Sequence, residues 1–144
     1  MKSRWLGIDY GQSRIGLAIS DELGYFAHPF RTLQRTGNVI SELKAILDHE
    51  KLCGIVIGLP KNMDGTLGES AILAKRFGQQ IAEVFPAIKI VLWDERLTTR
   101  EAQRALHASG KNTRQSKKLI DQVSAQILLQ SYLDSLQWQP TADR

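Results

Sequence analysis

Trp5-Leu6-Gly7-Ile8-Asp9-Tyr10-Gly11-Gln12-Ser13-Arg14-Ile15-Gly16-Leu17-Ala18-Ile19 decides the fold. An apolar run is cut by Asp9, then by a glycine and polar residues, and a second apolar run follows at once. This reads as two strands, residues 4–9 and 14–20, joined by a tight hairpin. A carboxylate therefore stands at the end of a strand that otherwise reads as buried. Burying an unpaired carboxylate is costly, so a cation, a donor network or a reaction is expected to use it.

Outward from this pair, Tyr25 to Leu33 supplies a third strand, and Pro29 inside it marks an edge strand or a bulge. Val39, Ile40, Leu43, Ile46 and Leu47 recur at helical spacing and predict a helix from Asn38 to Glu50. Cys53 to Leu59 is a short β-branched run without polar alternation, expected of a strand covered on both faces, and Pro60 ends it. Lys61 to Thr66 is a loop. Ile72, Leu73, Phe77, Ile81 and Phe85 mark a second helix, and Ile88 to Trp93 a further buried strand. Thr98 or Thr99 begins a helix that Gly110 stops. The last helix runs from Arg114 to Leu136 with Ile120, Val123, Ile127 and Leu128 inward. The expected architecture is α/β: a mixed five-stranded sheet, antiparallel in its first three strands and then parallel, with helices on both faces. One domain spans 1–137, and 138–144 form a C-terminal tail.

The chain has 144 residues and a formal charge of +4. From Arg96 to Lys118 seven basic residues face Glu101 alone, so this segment carries +6 and the remainder −2. Such segregation suits a surface that meets phosphates, although a solvated helix face gives the same pattern. The longest apolar runs are strand-sized, far short of the ~20 residues of a membrane span. No apolar leader precedes the first strand, and Cys53 is the one cysteine. A cytoplasmic protein without a membrane partner is expected, with Cys53 a small core residue.

Asp9 ends the first strand, and Asp94 and Glu95 end the last. If these strands run parallel in one sheet, their carboxyl ends share the edge where open α/β sheets bind ligands. Asp121 lies on the final helix, where ~100° per residue places it beside the apolar stripe. Three acids from different elements suit a hard divalent cation such as Mg²⁺, and two such ions can clamp an in-line phosphodiester displacement. Each acid also has a simpler reading. Asp9 can cap its turn, Glu95 can pair with Arg96 or Arg100, and Asp121 can be offset by Lys117 or Lys118.

Four blocks now form a pattern. Gly7-Ile8-Asp9-Tyr10-Gly11 with Arg14-Ile15-Gly16 resembles the opening motif of the YqgF family of RNase H-like pre-16S ribosomal RNA nucleases, also called Holliday-junction resolvases. Ile57-Gly58-Leu59-Pro60 with Asn62-Met63-Asp64-Gly65, Trp93-Asp94-Glu95-Arg96-Leu97-Thr98-Thr99, and Asp121 with Ser124-Ala125 agree with it in order. The resemblance implies an RNase H-like fold and a nuclease using Mg²⁺ or Mn²⁺, with Asp9, Glu95 and Asp121 as the catalytic, metal-binding acids. It implies precursor 16S rRNA processing, with branched DNA as the alternative substrate. Whether Asp94 or Glu95 faces the metal is left open by strand parity.

Arg96 and Arg100 are expected to bind the substrate backbone, since guanidinium groups clamp phosphates in pairs of bonds. Lys61, Asn62, Arg14, Lys117 and Lys118 are further phosphate candidates. Two rivals remain: a nucleotide-binding module of the actin and sugar-kinase type, and a non-catalytic RNA-binding factor in ribosome assembly or transcription. No dimer surface can be read from the residues.

Overall fold

The computed structural model describes residues 4–98 and 114–137. Strands β1 (Arg4–Tyr10), β2 (Arg14–Ser20) and β3 (Ala27–Gln34) are followed by α1 (Val39–His49), β4 (Leu52–Leu59), α2 (Glu69–Val84) and β5 (Lys89–Asp94). A single 3₁₀ turn, Glu95–Leu97, continues β5, and α3 (Arg114–Gln137) closes the described chain. The helix expected after Thr98 and the tail 138–144 lie outside the described residues.

The sheet order is β3-β2-β1-β4-β5. β1 pairs antiparallel with β2, and β2 with β3; β1 with β4 and β4 with β5 are parallel. β1, β4 and β5 therefore end on one edge, as the acid placement required.

Strand alternation sorts the core into two layers. Leu6, Ile8, Ile15, Leu17, Ile55 and Ile57 point to one face and pack with Leu43 and Ile46 of α1 and Phe77 and Ile81 of α2. Ala18 and Val56 point to the other face and meet Ala125, Leu128, Leu129, Tyr132 and Leu133 of α3. β4 is covered on both sides, which is why it reads as a continuous apolar run.

Three details depart from the expectations. β3 begins at Ala27, because the Asp21 carboxylate accepts from the backbone N–H of Tyr25 at 2.8 Å and of Phe26 at 3.4 Å, holding both in the turn. β5 is an edge strand and half-exposed, not a buried one. On α3 the buried stripe is Ala125, Leu128, Leu129, Tyr132 and Leu133, while Ile120, Val123 and Ile127 are only half-buried. Pro29 does fall on an edge strand beside a bulge: Leu17 pairs with Arg31 and Ala18 with Pro29, leaving Phe30 extra.

Candidate active site

Asp9 is placed by its neighbours. It pairs with Gly16 of β2, and the pairing of Ile8 with Ile57 puts Gly58 of β4 on its other side. Gly58 pairs in turn with Trp93. Asp9 thus stands between two glycines on the α3 face, with no side chain from its partner residue on either neighbouring strand.

The same glycines seat the other acids. α3 crosses this face so closely that a β-carbon on Gly16 would meet the backbone carbonyl of Asp121, and one on Gly7 would lie 2.7 Å from Cβ of Leu129. Asp121 lies one helical turn before Ala125 and is half-buried, at the sheet-edge end of the buried stripe. A β-carbon on Gly58 would lie 2.5 Å from Oε2 of Glu95. The Glu95 side chain therefore folds back over Gly58 toward Asp9.

Asp94 goes elsewhere. It pairs with Leu59, whose side chain belongs to the opposite core layer. Its carboxylate accepts from the backbone N–H of Arg96 at 2.9 Å and from the Arg96 guanidinium at 2.7 Å. Alternation along β5 therefore leaves Glu95 on the same face as Trp93 and Gly58, and the 3₁₀ turn capped by Asp94 begins with Glu95 on that side. Of the two neighbouring acids, Glu95 is the one that joins Asp9.

Electrostatics agree with this grouping. Burial, and then the charge of Asp121, push the Asp9 carboxyl up to about 6. Burial, then Asp9 and then Asp94, push Glu95 up to about 7. Two neighbouring carboxyls that resist ionisation form an environment short of positive charge. Carboxylate oxygens are the donor type for a hard divalent cation, so the residues fit such an ion in chemistry. Among the described residues no group of three or more His, Cys, Asp or Glu side chains is placed so that it could hold a metal ion.

Arg14 opens β2 and donates from Nε to Oδ2 of Asp121 at 2.6 Å. Among the described side chains, the one paired with Asp121 is thus Arg14. Arg96 is engaged by Asp94 and by the carbonyl of Met63 at 3.2 Å, so it braces the loop after β4. Asn62 bonds Thr66 Oγ1 at 2.9 Å and closes that same loop. Lys61 is half-buried, and its charge helps to hold the Asp94 carboxyl below the usual range, after the larger effect of Arg96. Lys118 is exposed at the start of α3, where its carbonyl accepts from Thr32 at 2.9 Å. Arg100 and the side chain of Lys117 lie outside the described residues.

The description "RuvX: Holliday junction resolvase" matches residues 3–135. The chain belongs to the RuvX family. A Geobacillus kaustophilus relative named "Putative pre-16S rRNA nuclease" is 43% identical over 136 residues, covering 92% of this chain and 98% of that one. A Clostridium botulinum relative of the same name is 42% identical over 135 residues, with 92% and 98% covered. Thermus thermophilus RuvC, solved in complex with a Holliday junction substrate, superposes with a TM-score of 0.55 at 13% identity, over 94% of this chain and 96% of that one. A second T. thermophilus RuvC structure gives 0.54 at 12%, over 93% and 96%. At that identity the likeness concerns the fold, which is RNase H-like, as the four blocks implied. The RuvX match and the named relatives likewise agree with the family read from those blocks.

Two parts of this site were not foreseen. Gly58 and Gly7 carry no chemistry but make room for Glu95 and α3; glycine inside an apolar strand was the signal available. The Arg14–Asp121 pair joins residues 107 apart, and no local spacing announces it.

Proposed function

We propose that this RuvX-family chain is a nuclease that hydrolyses nucleic-acid phosphodiester bonds in processing of the 5′ end of precursor 16S rRNA, in the cytoplasm. One observation carries the reading. Asp9, Glu95 and Asp121 come from three distant segments, and glycines clear one floor for all of them.

Asp9, Glu95 and Asp121 are the residues that would hold Mg²⁺ or Mn²⁺. When bound there, such an ion supplies Lewis-acid stabilisation of the phosphate and acidifies an attacking water. The remaining work falls to side chains. Asp9, buried and flanked by glycines, aims its carboxylate at the edge where a backbone phosphate arrives. Glu95 folds back over Gly58 toward Asp9 and brings Oε2 to the same edge. Arg14, Lys61, Arg96 and Lys118, together with Arg100 and Lys117 by their charge, are the residues that would bind the nucleic-acid backbone, contacts that position without reading sequence.

The family description favours a second substrate, branched DNA. The test is a cleavage assay on a precursor 16S rRNA fragment and on four-way DNA with Mn²⁺ or Mg²⁺, beside Asp9→Asn. The expected result is cation-dependent cleavage of the RNA by the wild type and retained binding without cleavage by Asp9→Asn. Preference for four-way DNA assigns the chain to the resolvase reading. RNA binding and biological function that survive Asp9→Asn assign it to a non-catalytic role.

A further inference from the structure

The Arg14–Asp121 pair poses a question for the proposed site. Asp121 is one of three acids that would hold a cation, yet a guanidinium already occupies its Oδ2 at 2.6 Å. The pair is only partly screened: the side chains are 31% and 22% exposed. Its two members belong to the opening of β2 and to α3, elements that Gly16 locks together just beyond. The carbonyl of Asp121 lies against Gly16, the cross-strand partner of Asp9, so the guanidinium offsets the acid on the outer side of the group. Among the described residues, Arg14 uses Nε alone for its side-chain bond, and both terminal amino groups remain for a phosphate.

The geometry points to Arg14 as a built-in counter-ion of Asp121 that a divalent cation must displace, making it the residue that sets cation affinity at this site. This rests on the metal-dependent reading given above. A fixed positive charge beside an acid lowers the attraction of that acid for a second cation. Displaced from Asp121, the same guanidinium is free to turn to the substrate backbone, where its planar fork suits a phosphate. Arg14 is then a positioning residue that couples cation arrival to substrate capture. The opposing possibility is an orienting role, in which a hydrogen-bonded partner strengthens a ligand's hold on metal and its loss costs affinity. The two predict opposite signs.

The experiment is titration of the full chain with Mn²⁺ alone, read by electron paramagnetic resonance of the free ion, for the wild type, Arg14→Gln, Arg14→Lys and Asp9→Asn. Arg14→Gln is expected to bind Mn²⁺ about three- to thirtyfold tighter, with Arg14→Lys between it and the wild type. A second readout uses the wild type itself. The Arg14 Nε–H resonance should leave its ion-paired position as Mg²⁺ is added, and should stay in place in Asp9→Asn. Equal or weaker Mn²⁺ binding by Arg14→Gln overturns the inference and leaves the nuclease reading standing. So does an Arg14 resonance that ignores Mg²⁺ while Mn²⁺ binds. If the wild type shows no Mn²⁺ binding that Asp9→Asn reduces, the metal-dependent reading itself fails, and this inference with it.

Discussion

The carbonyl of Asp121 rests where a β-carbon of Gly16 would be, and Gly16 is the cross-strand partner of Asp9. One glycine thus sets how near the helix acid comes to the strand acid.

Gly16→Ala should therefore damage the site and the fold together. The new methyl meets helix backbone rather than a flexible side chain, so α3 must move. Overpacking of this kind costs about 1–3 kcal/mol. A lowered denaturation midpoint with near-complete loss of cleavage is expected. Cleavage at the wild-type rate would show that the position of Asp121 is immaterial.

Gly58 and Gly54 give a matched contrast. A methyl on Gly58 would press on Oε2 of Glu95 and, at 2.9 Å, on Cδ2 of Leu128. A methyl on Gly54 would press on the Trp5 ring, at the far end of β4. Both substitutions should destabilise, again by about 1–3 kcal/mol. Only Gly58→Ala should reduce turnover in the folded fraction, measured at a temperature where both variants remain folded. Equal turnover losses would contradict the placement of Glu95.

Glu95→Gln and Asp94→Asn should separate by activity. Glu95 faces Asp9, and Asp94 is held by Arg96 on the other side. Stabilising interactions at a metal-assisted centre amount to several kcal/mol, so Glu95→Gln should lose at least about 100-fold in kcat. Asp94→Asn should keep kcat within about threefold, since it loosens only the exposed Arg96 pair and the turn it caps. A larger loss at Asp94 would reverse the assignment.

The pH dependence has a definite sign. Asp9 is raised from 3.8 to about 6 and Glu95 from 4.5 to about 7 in the folded chain. Between roughly pH 4 and 7 the native state then binds more protons than the unfolded state. Their contribution to stability is complete below this window and is lost as pH rises through it. Asp21, Asp64 and Asp94 are lowered and act oppositely, their share being lost only at more acid pH. Without added cation, urea midpoints of the wild type and Asp9→Asn should diverge from about pH 5 to pH 8, with Asp9→Asn gaining. Parallel pH profiles would show that Asp9 is not held protonated by its surroundings. Because protons and a divalent cation compete for these carboxylates, Mn²⁺ binding should tighten as pH rises through about 6–7.

The strands were legible because their apolar residues run without helical spacing, and the shared edge followed from parallel pairing. The boundary at Ala27 was not, because Asp21 holds Tyr25 and Phe26 through their backbone, a bond that side-chain pattern does not encode. The inner face of α3 was misjudged for a related reason. Ile120 and Ile127 look core-like, but the close approach at Gly7 and Gly16 favours the Ala125 side of the helix. Asp9 declared itself by interrupting an apolar run. Glu95 over Asp94 did not, since parity puts the two on opposite faces but only the pairing of β5 with β4 fixes which face Trp93 and Glu95 share. Arg14 was read as a phosphate contact, and its partner on α3 could emerge only from the packed fold.

In the proposed function, Asp9, Glu95 and Asp121 hold one or two divalent ions at the edge where β1, β4 and β5 end. Crystals soaked in Mn²⁺ and measured at the manganese absorption edge test it most directly. Anomalous density touching oxygens of Asp9 and Glu95 is expected, with Asp121 drawn to it and Arg14 withdrawn. Full-occupancy manganese elsewhere, with nothing against Asp9, would contradict it.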